Sequence, residues 1–485
     1  MEVKYSGIRE SKENRFFELA YESQLIEEKF ETRCLKHAEK TFSLAGQCQE
    51  INSMNTLLTT QDSVFIIHAP QGCVGCSSLG VDLYRVGQEQ RGEKYIKNPR
   101  IIVTNLDSND IVFGGEKKLR GAIQKAVERY NPKIIFVFLS CSSAIIGDDV
   151  ESVVSSMQPE VEAKLVPIHC EGFKSKSNAS GYDAAFIAIE KYLLPKKKIT
   201  TNKNLINLFS PMTVSFSDTK EMARLLEKIG LEVNILPFYS SLESIEKISQ
   251  AAASTAICKV FADEFMISLE KKYQIPYSHT VMPIGIKNTD EWFLDIARLT
   301  GREEQARQVI EEEHQRVFPL IMEIKERLQG KRVLVSGGEG RSLAIAALME
   351  DFGMSVNGLA TPVYDNEVHK DIKKLNAVHG NYPILFVHRS QAELTNLVRK
   401  QNPDVLIGGG GEDWARMFGY PTVNILDPKH ATMGYNGLFD VGLKIADVLE
   451  NPGFNIKMSK YVKPPLRDAW YQESPFKYIV GLEDK

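Results

Sequence analysis

SVFIIHAPQGCVGCSS (63–78) decides the fold. Six residues, 63–68, form an apolar, β-branched-rich run with no polar alternation. A proline, a glycine and a cysteine follow at once. An apolar run without alternation suits a strand covered on both faces, as in a parallel sheet. A cysteine just beyond such a strand lies where open α/β sheets bind ligands, at the carboxyl end.

The same pattern repeats outward along the chain. RIIVTN (100–105), KIIFVFLS (133–140), AKLVPIHC (163–170), NLINLFS (204–210) and EVNILPF (232–238) read as strands. So do KRVLVSG (331–337), MSVNGLA (354–360), YPILFVH (382–388), PDVLIGG (403–409) and PTVNIL (421–426). Amphipathic helical stretches separate them, among them EKKLRGAIQKAVERY (116–130), DTKEMARLLEKIG (218–230) and a long charged helix over 302–328. This alternation predicts an α/β protein with parallel sheets. LLPKKKITTNKN (193–204) and ERLQGKR (326–332) read as breaks, which divides the chain into three α/β units at 1–200, 201–330 and 331–485.

The bulk numbers exclude several classes. The 485 residues carry 59 basic and 63 acidic side chains, a net charge of -4, with no basic stripe to bind nucleic acid. No run of about 18 apolar residues predicts a membrane span, and the polar N-terminus has no signal-peptide core. The expectation is a cytoplasmic protein. Seven cysteines in such a setting do not form a disulfide framework. Each is buried filler, a metal ligand or a reactive thiol.

Their positions discriminate. Cys73, Cys141 and Cys170 each follow a predicted strand, and Cys48 sits beside Gly46 in SLAGQCQE. Core filler explains that placement poorly for Cys48, Cys73 and Cys141 together. Convergent thiolates with glycines near the sulfurs are what an iron–sulfur cluster requires. CVGC (73–76) alone could be a redox dithiol or half a zinc site, but no second C-x-x-C completes one. Cys258 reads differently, inside an apparently helical stretch at 253–273, where packing is the ordinary role.

Taken in order, APQGC (69–73), SNDIVFGGEKKL (108–119), SCSSAIIGDD (140–149) and VPIHCEGFKSKSNASGYD (166–183) resemble the nitrogenase component 1 superfamily, its α-type subunits in particular. The likeness continues through ICKVFADEFMISLEKKYQIPY (257–277), VSGGEGRSLAIAALMEDFGMSV (335–356), DVLIGGGGED (404–413) and HATMGYNGLFDVG (430–442). The resemblance implies three Rossmann-like domains and an α2β2 heterotetramer with a β-type subunit. It also implies a homodimeric iron protein that hydrolyses ATP, since this chain has no GxxxxGK[ST] loop.

By resemblance, Cys48, Cys73 and Cys141 match the α-side thiolates of a P-cluster shared with the β-type subunit. Cys258 matches the thiolate that anchors a buried iron–sulfur cofactor, which replaces the packing role. His430 is the histidine nearest the position of that cofactor's second ligand, in a shortened segment. His169, Asn178, Tyr182 and Arg341 are the polar candidates around the cofactor. Asn178 and Tyr182 stand where molybdenum nitrogenases have a glutamine and a histidine. Cys76 replaces a usual aromatic residue, as an extra ligand, a tuning thiol or small filler. The altered pocket favours reductive C–S cleavage of small methylthio-alkanes, as in methylthio-alkane reductase. Nitrogen fixation and a non-catalytic cofactor-assembly scaffold are the alternatives.

Overall fold

The structure, a computed structural model, describes residues 20–31, 39–40, 48–75, 78–175, 179–197, 200–279, 281–361, 366–386, 391–409, 412–425, 430–464, 466–473 and 479–480. All eleven expected strands are present, and the helix expected at 116–130 spans Glu116–Tyr130. The fold is α/β with parallel sheets, as expected.

The described residues form two compact units. The first comprises 48–279 with 295–303, and the second comprises 20–31, 281–294 and most of the chain from 304 on. In the first, a four-stranded parallel sheet runs Ile101–Val103, Ser63–His68, Ile134–Leu139, Lys164–His169. Every residue of Ser63–His68 and Ile134–Leu139 is buried, which is why neither shows polar alternation. Side chains on a strand alternate between faces. Phe65, Ile67, Phe136 and Phe138 therefore enter one core, and Val64, Ile66, Ile135 and Val137 enter another.

Helices cover both faces. On one, Glu116–Tyr130 buries Leu119, Ala122, Ile123 and Ala126, a 3.6-residue stripe. On the other, Gln49–Leu57 lies against Ser180–Tyr192. Gly181 allows that approach, since a Cβ there would meet Gln49 O at 2.5 Å and Ser53 N at 2.8 Å. Ser53 Oγ donates to Gly181 O at 2.7 Å and locks the pair.

A three-stranded parallel sheet, Glu232–Pro237, Asn202–Ser210, Ala251–Ala256, completes this unit. The last strand corrects the sequence reading. AAASTA is strand, not helix, and the helix begins only at Lys259. Alanine favours helix when local preference decides. Here Ala253–Ala256 pair in register with Ile206–Phe209, and Asn207 Nδ2 donates to Ser254 Oγ at 3.2 Å. Cys258 is consequently the N-cap residue of Lys259–Tyr273, just beyond a strand.

The second unit is built on a six-stranded sheet. Pro383–Phe386, Ser355–Thr361, Arg332–Ser336, Val405–Gly408 and Thr422–Asn424 are parallel in that spatial order. Ala20–Glu22 adds an antiparallel edge. Among the described residues, no helix is long and apolar enough to cross a membrane.

Candidate metal centre

Three loops of the first unit carry thiols to one place. Cys48 is the N-cap of Gln49–Leu57, with extended backbone. Cys73 lies in the short helix Gly72–Gly75 beyond strand Ser63–His68. Cys141 opens helix Cys141–Ile146 beyond strand Ile134–Leu139. A glycine from a fourth loop closes the group. A Cβ on Gly172 would lie 3.1 Å from Cys48 Cβ, 3.5 Å from Cys141 Sγ and 3.6 Å from Cys48 Sγ. The thiol of Cys73 is hydrogen-bonded to the Glu50 carboxyl, and its ionisation is opposed by both Cys48 and Cys141.

The surrounding motifs brace these loops. Ser140 and Ser143 form a capping box that starts the Cys141 helix, and Ser140 Oγ donates to His68 O at 2.8 Å. Gly147 ends that helix in the left-handed region, at φ 81°. Asp148 then accepts from His68 Nε2 at 2.8 Å and from Gly115 N at 2.8 Å. Burial holds the His68 imidazole below its ordinary pKa despite that carboxylate. Gly115 is tightly packed, since a Cβ there would be 2.6 Å from Leu106 Cδ2 and 2.7 Å from Asp148 Oδ2. HAP, FGG and IGDD are thus one clamp behind Cys73 and Cys141.

The electrostatics are those of anionic donors crowded together. Burial pushes the Cys73 thiol up to about 12, and the Glu50 charge and the neighbouring thiols add to it. Burial pushes Glu50 up to about 7; the Cys73 hydrogen bond opposes this and Glu171 adds to it. Burial also raises Cys48, while the N–H groups of Ile51 and Glu50 pointing at its sulfur pull the other way. Glu50 Oε1 and Glu171 Oε2 are buried with no hydrogen-bond partner among the described residues. A metal reverses this balance, because a coordinated thiol is deprotonated outright. Among the described residues, no three His, Cys, Asp or Glu converge on one point as a single ion would need. Thiols spread around a glycine cradle, with N–H groups at a sulfur, fit a multi-iron cluster.

The remaining predicted residues divide between the units. In the first, the Tyr182 ring meets Phe261 edge-on at 4.9 Å. Phe261 N donates to Cys258 O at 3.1 Å, and Tyr182 and Cys258 pack against the same apolar core. His169 turns to carboxylates instead, with Glu151 at 3.1 Å and Glu171 at 3.6 Å. Its pKa is raised, by Glu171 most and Glu151 next, against burial. In the second, Arg341 is buried and donates to Ile425 O at 3.0 Å and Thr432 Oγ1 at 3.2 Å. His430, between those two residues in sequence, is exposed. Asn178 and Cys76 lie outside the described residues. Cys170 is fully buried, its thiol donating to Leu139 O at 3.5 Å. Sequence reasoning missed Glu50, Glu171 and Gly172. The HCEGF phrase contained the last two, but nothing in its spacing marked them as neighbours of Cys48.

Beside the thiols the surface is apolar. Val112 is 72%, Phe113 85%, Ile145 75% and Phe173 57% exposed. They come from helix Ser108–Phe113, helix Cys141–Ile146 and the turn Gly172–Lys174.

Fold and site together define a parallel α/β protein that gathers thiols at the carboxyl ends of its strands. The family model described as nitrogenase component 1 type oxidoreductase matches residues 48–450, and the chain belongs to that family. It is 25% identical over 444 residues to the nitrogenase iron-molybdenum cofactor biosynthesis protein NifE of Rippkaea orientalis, covering 89% of this chain and 90% of that one. It is 30% identical over 304 residues to the nitrogenase molybdenum-iron protein alpha chain of Methanosarcina barkeri, covering 61% and 56%. The solved structure titled nitrogenase Cp1 at pH 6.5 superposes with a TM-score of 0.72 at 20% identity, over 96% of this chain and 99% of that one. That likeness bears on fold alone.

Proposed function

We propose that this chain is the α-type subunit of a component 1 complex and holds an iron–sulfur cluster on Cys48, Cys73 and Cys141. The observation that carries the reading is the meeting of Cys48 and Cys141 at Gly172, with Cys73 close enough for both to oppose its ionisation. The exposed apolar residues beside them suit a partner subunit, because apolar patches of this kind mark association surfaces. The β-type partner would supply the rest of the ligands, and a homodimeric ATP-hydrolysing iron protein the electrons. A division into three α/β domains, each around one of the three parallel sheets, and a cytoplasmic location belong to the same proposal.

When bound, such clusters supply electrons at low potential. Cys258 would anchor a second, buried iron–sulfur cofactor, with His430 as its candidate second ligand. Tyr182, packed on Phe261, would present an aromatic wall near Cys258. Such a wall favours a small apolar substrate, and the reaction proposed is C–S cleavage of methylthio-alkanes. Two electrons and two protons convert the thioether to a hydrocarbon and a thiol. The electrons come from the iron protein. Arg341, Asn178 and His169 remain the proposed polar groups, with Arg341 holding residues 425 and 432 in place.

A second reading has its own support. NifE relatives match this chain over most of its length, which favours a cofactor-assembly scaffold. The test is to purify the chain anaerobically with its partner and count iron and sulfide. The complex is then given reductant, ATP, the iron protein and either nitrogen or a methylthio-alkane. Hydrocarbon without ammonia supports the reductase. Ammonia alone supports a nitrogenase. Neither product, with cofactor passed on to an acceptor protein, supports the scaffold.

A further inference from the structure

Glu50 has the environment of a ligand rather than of a packing residue. It lies in the first turn of Gln49–Leu57, two residues beyond Cys48. The residue is 5% exposed, and Oε1 has no hydrogen-bond partner among the described residues. The carboxyl meets the thiol of Cys73, a residue from a different loop. It faces a second buried carboxylate, Glu171. Lys174 and His169 partner Glu171, but among the described residues no cation is paired with Glu50. A buried carboxyl with an unmade bond is costly to keep. The Glu50 carboxyl lies beside the Cys73 thiol, where a metal held by the cysteines would come within reach of its oxygen.

We propose that Glu50 is a fourth donor from this chain to the cluster held by Cys48, Cys73 and Cys141, bonding one iron through carboxylate oxygen. The proposal rests on the cluster reading above. An oxygen donor is harder than thiolate and makes one iron unlike the rest, which gives the cluster a polarised end. Gln49 Nε2 donates to Ser180 O at 3.5 Å and Ser53 Oγ to Gly181 O, so the helix that carries Glu50 is fixed against its neighbour. The carboxylate is therefore pre-placed and does not need to be recruited.

The experiment uses the full chain, produced anaerobically on 57Fe with its partner subunit. Mössbauer spectra should contain a minority iron component with the higher isomer shift of an oxygen-bound site. In Glu50→Gln, which keeps shape and hydrogen bonding, that component should vanish. Iron should also leave to a chelator about tenfold faster or more, since even outer-shell partners are worth about 10–100-fold in affinity. Identical spectra and chelation rates in the two proteins would overturn the proposal while leaving the cysteine cluster standing. A wild-type complex without iron would overturn the cluster reading and this one with it. If the Gln variant does not fold, wild-type protein with 13C-labelled glutamate carboxylates decides. Pulsed EPR of the oxidised cluster should show the 13C coupling of a carboxylate carbon one oxygen removed from iron, and its absence counts against Glu50.

Discussion

Gly181→Ala tests the packing that places Cys48. The added Cβ would lie 2.5 Å from Gln49 O, 2.8 Å from Asn52 Cβ and 2.8 Å from Ser53 N. Carbon contacts are comfortable only at about 3.5–4 Å, so the two helices must part by about 1 Å. Two of the three atoms are backbone, which no rotamer change can clear. Overpacking of this kind costs about 1–3 kcal/mol, and the Ser53 bond to Gly181 O is stretched as well. For a unit of this size each kcal/mol moves the melting temperature by about 2–4 °C, so a fall of about 2–12 °C is expected. Gly121→Ala is the matched control. Gly121 also lies within a helix, but a Cβ there meets nothing within 4 Å. That change should raise stability by about 0.5–1 kcal/mol. Calorimetry of the metal-free chain measures both. A Gly181→Ala protein as stable as wild type, or a Gly121→Ala protein destabilised to the same degree, would refute the reasoning.

Burial raises the Asp351 carboxyl to about 6, above its unfolded value, so the folded state holds that proton more tightly. Ionising it costs stability as pH rises from about 4 to 6, at most about 3 kcal/mol. Asp351→Asn keeps an acceptor for Ile286 N and should flatten a denaturation series between pH 4 and 8; an unchanged slope would count against it. Cys170→Ser should retain full iron content, because that buried thiol is spent on Leu139 O; loss of iron there would make it a ligand. Tyr182→Phe keeps the ring contact with Phe261 and should fold with an unchanged circular dichroism spectrum. The same variant should keep thioether turnover if the ring acts only as a wall, whereas loss of turnover at unchanged stability would give the phenol a chemical part.

Much of this fold was legible because burial on both faces writes itself into sequence as unbroken apolar runs. Ser63–His68 and Ile134–Leu139 are the clearest cases. Ala251–Ala256 was not legible, since its identity depends on pairing with Asn202–Ser210, a contact nearly fifty residues away that overrides alanine's preference. Cys73 and Cys141 could be picked out by position at strand ends, and Cys48 by the glycine beside it. The clamp of His68, Asp148 and Gly115 could not, because its members lie far apart in sequence and none has a distinctive spacing. Glu50 was hidden for a related reason. A glutamate in the first turn of a helix ordinarily serves the helix dipole, and only its burial beside Cys73 marks it as different.

The central claim is a cluster on three thiols, and iron content against cysteine substitution tests it most directly. The chain is purified anaerobically with its partner, as wild type and as Cys73→Ala, and iron, acid-labile sulfide and the EPR spectrum are measured on each. The wild type is expected to give a multi-iron signal that is lost or converted in Cys73→Ala, with the circular dichroism unchanged. Equal iron, equal sulfide and superimposable spectra in the two proteins would contradict it.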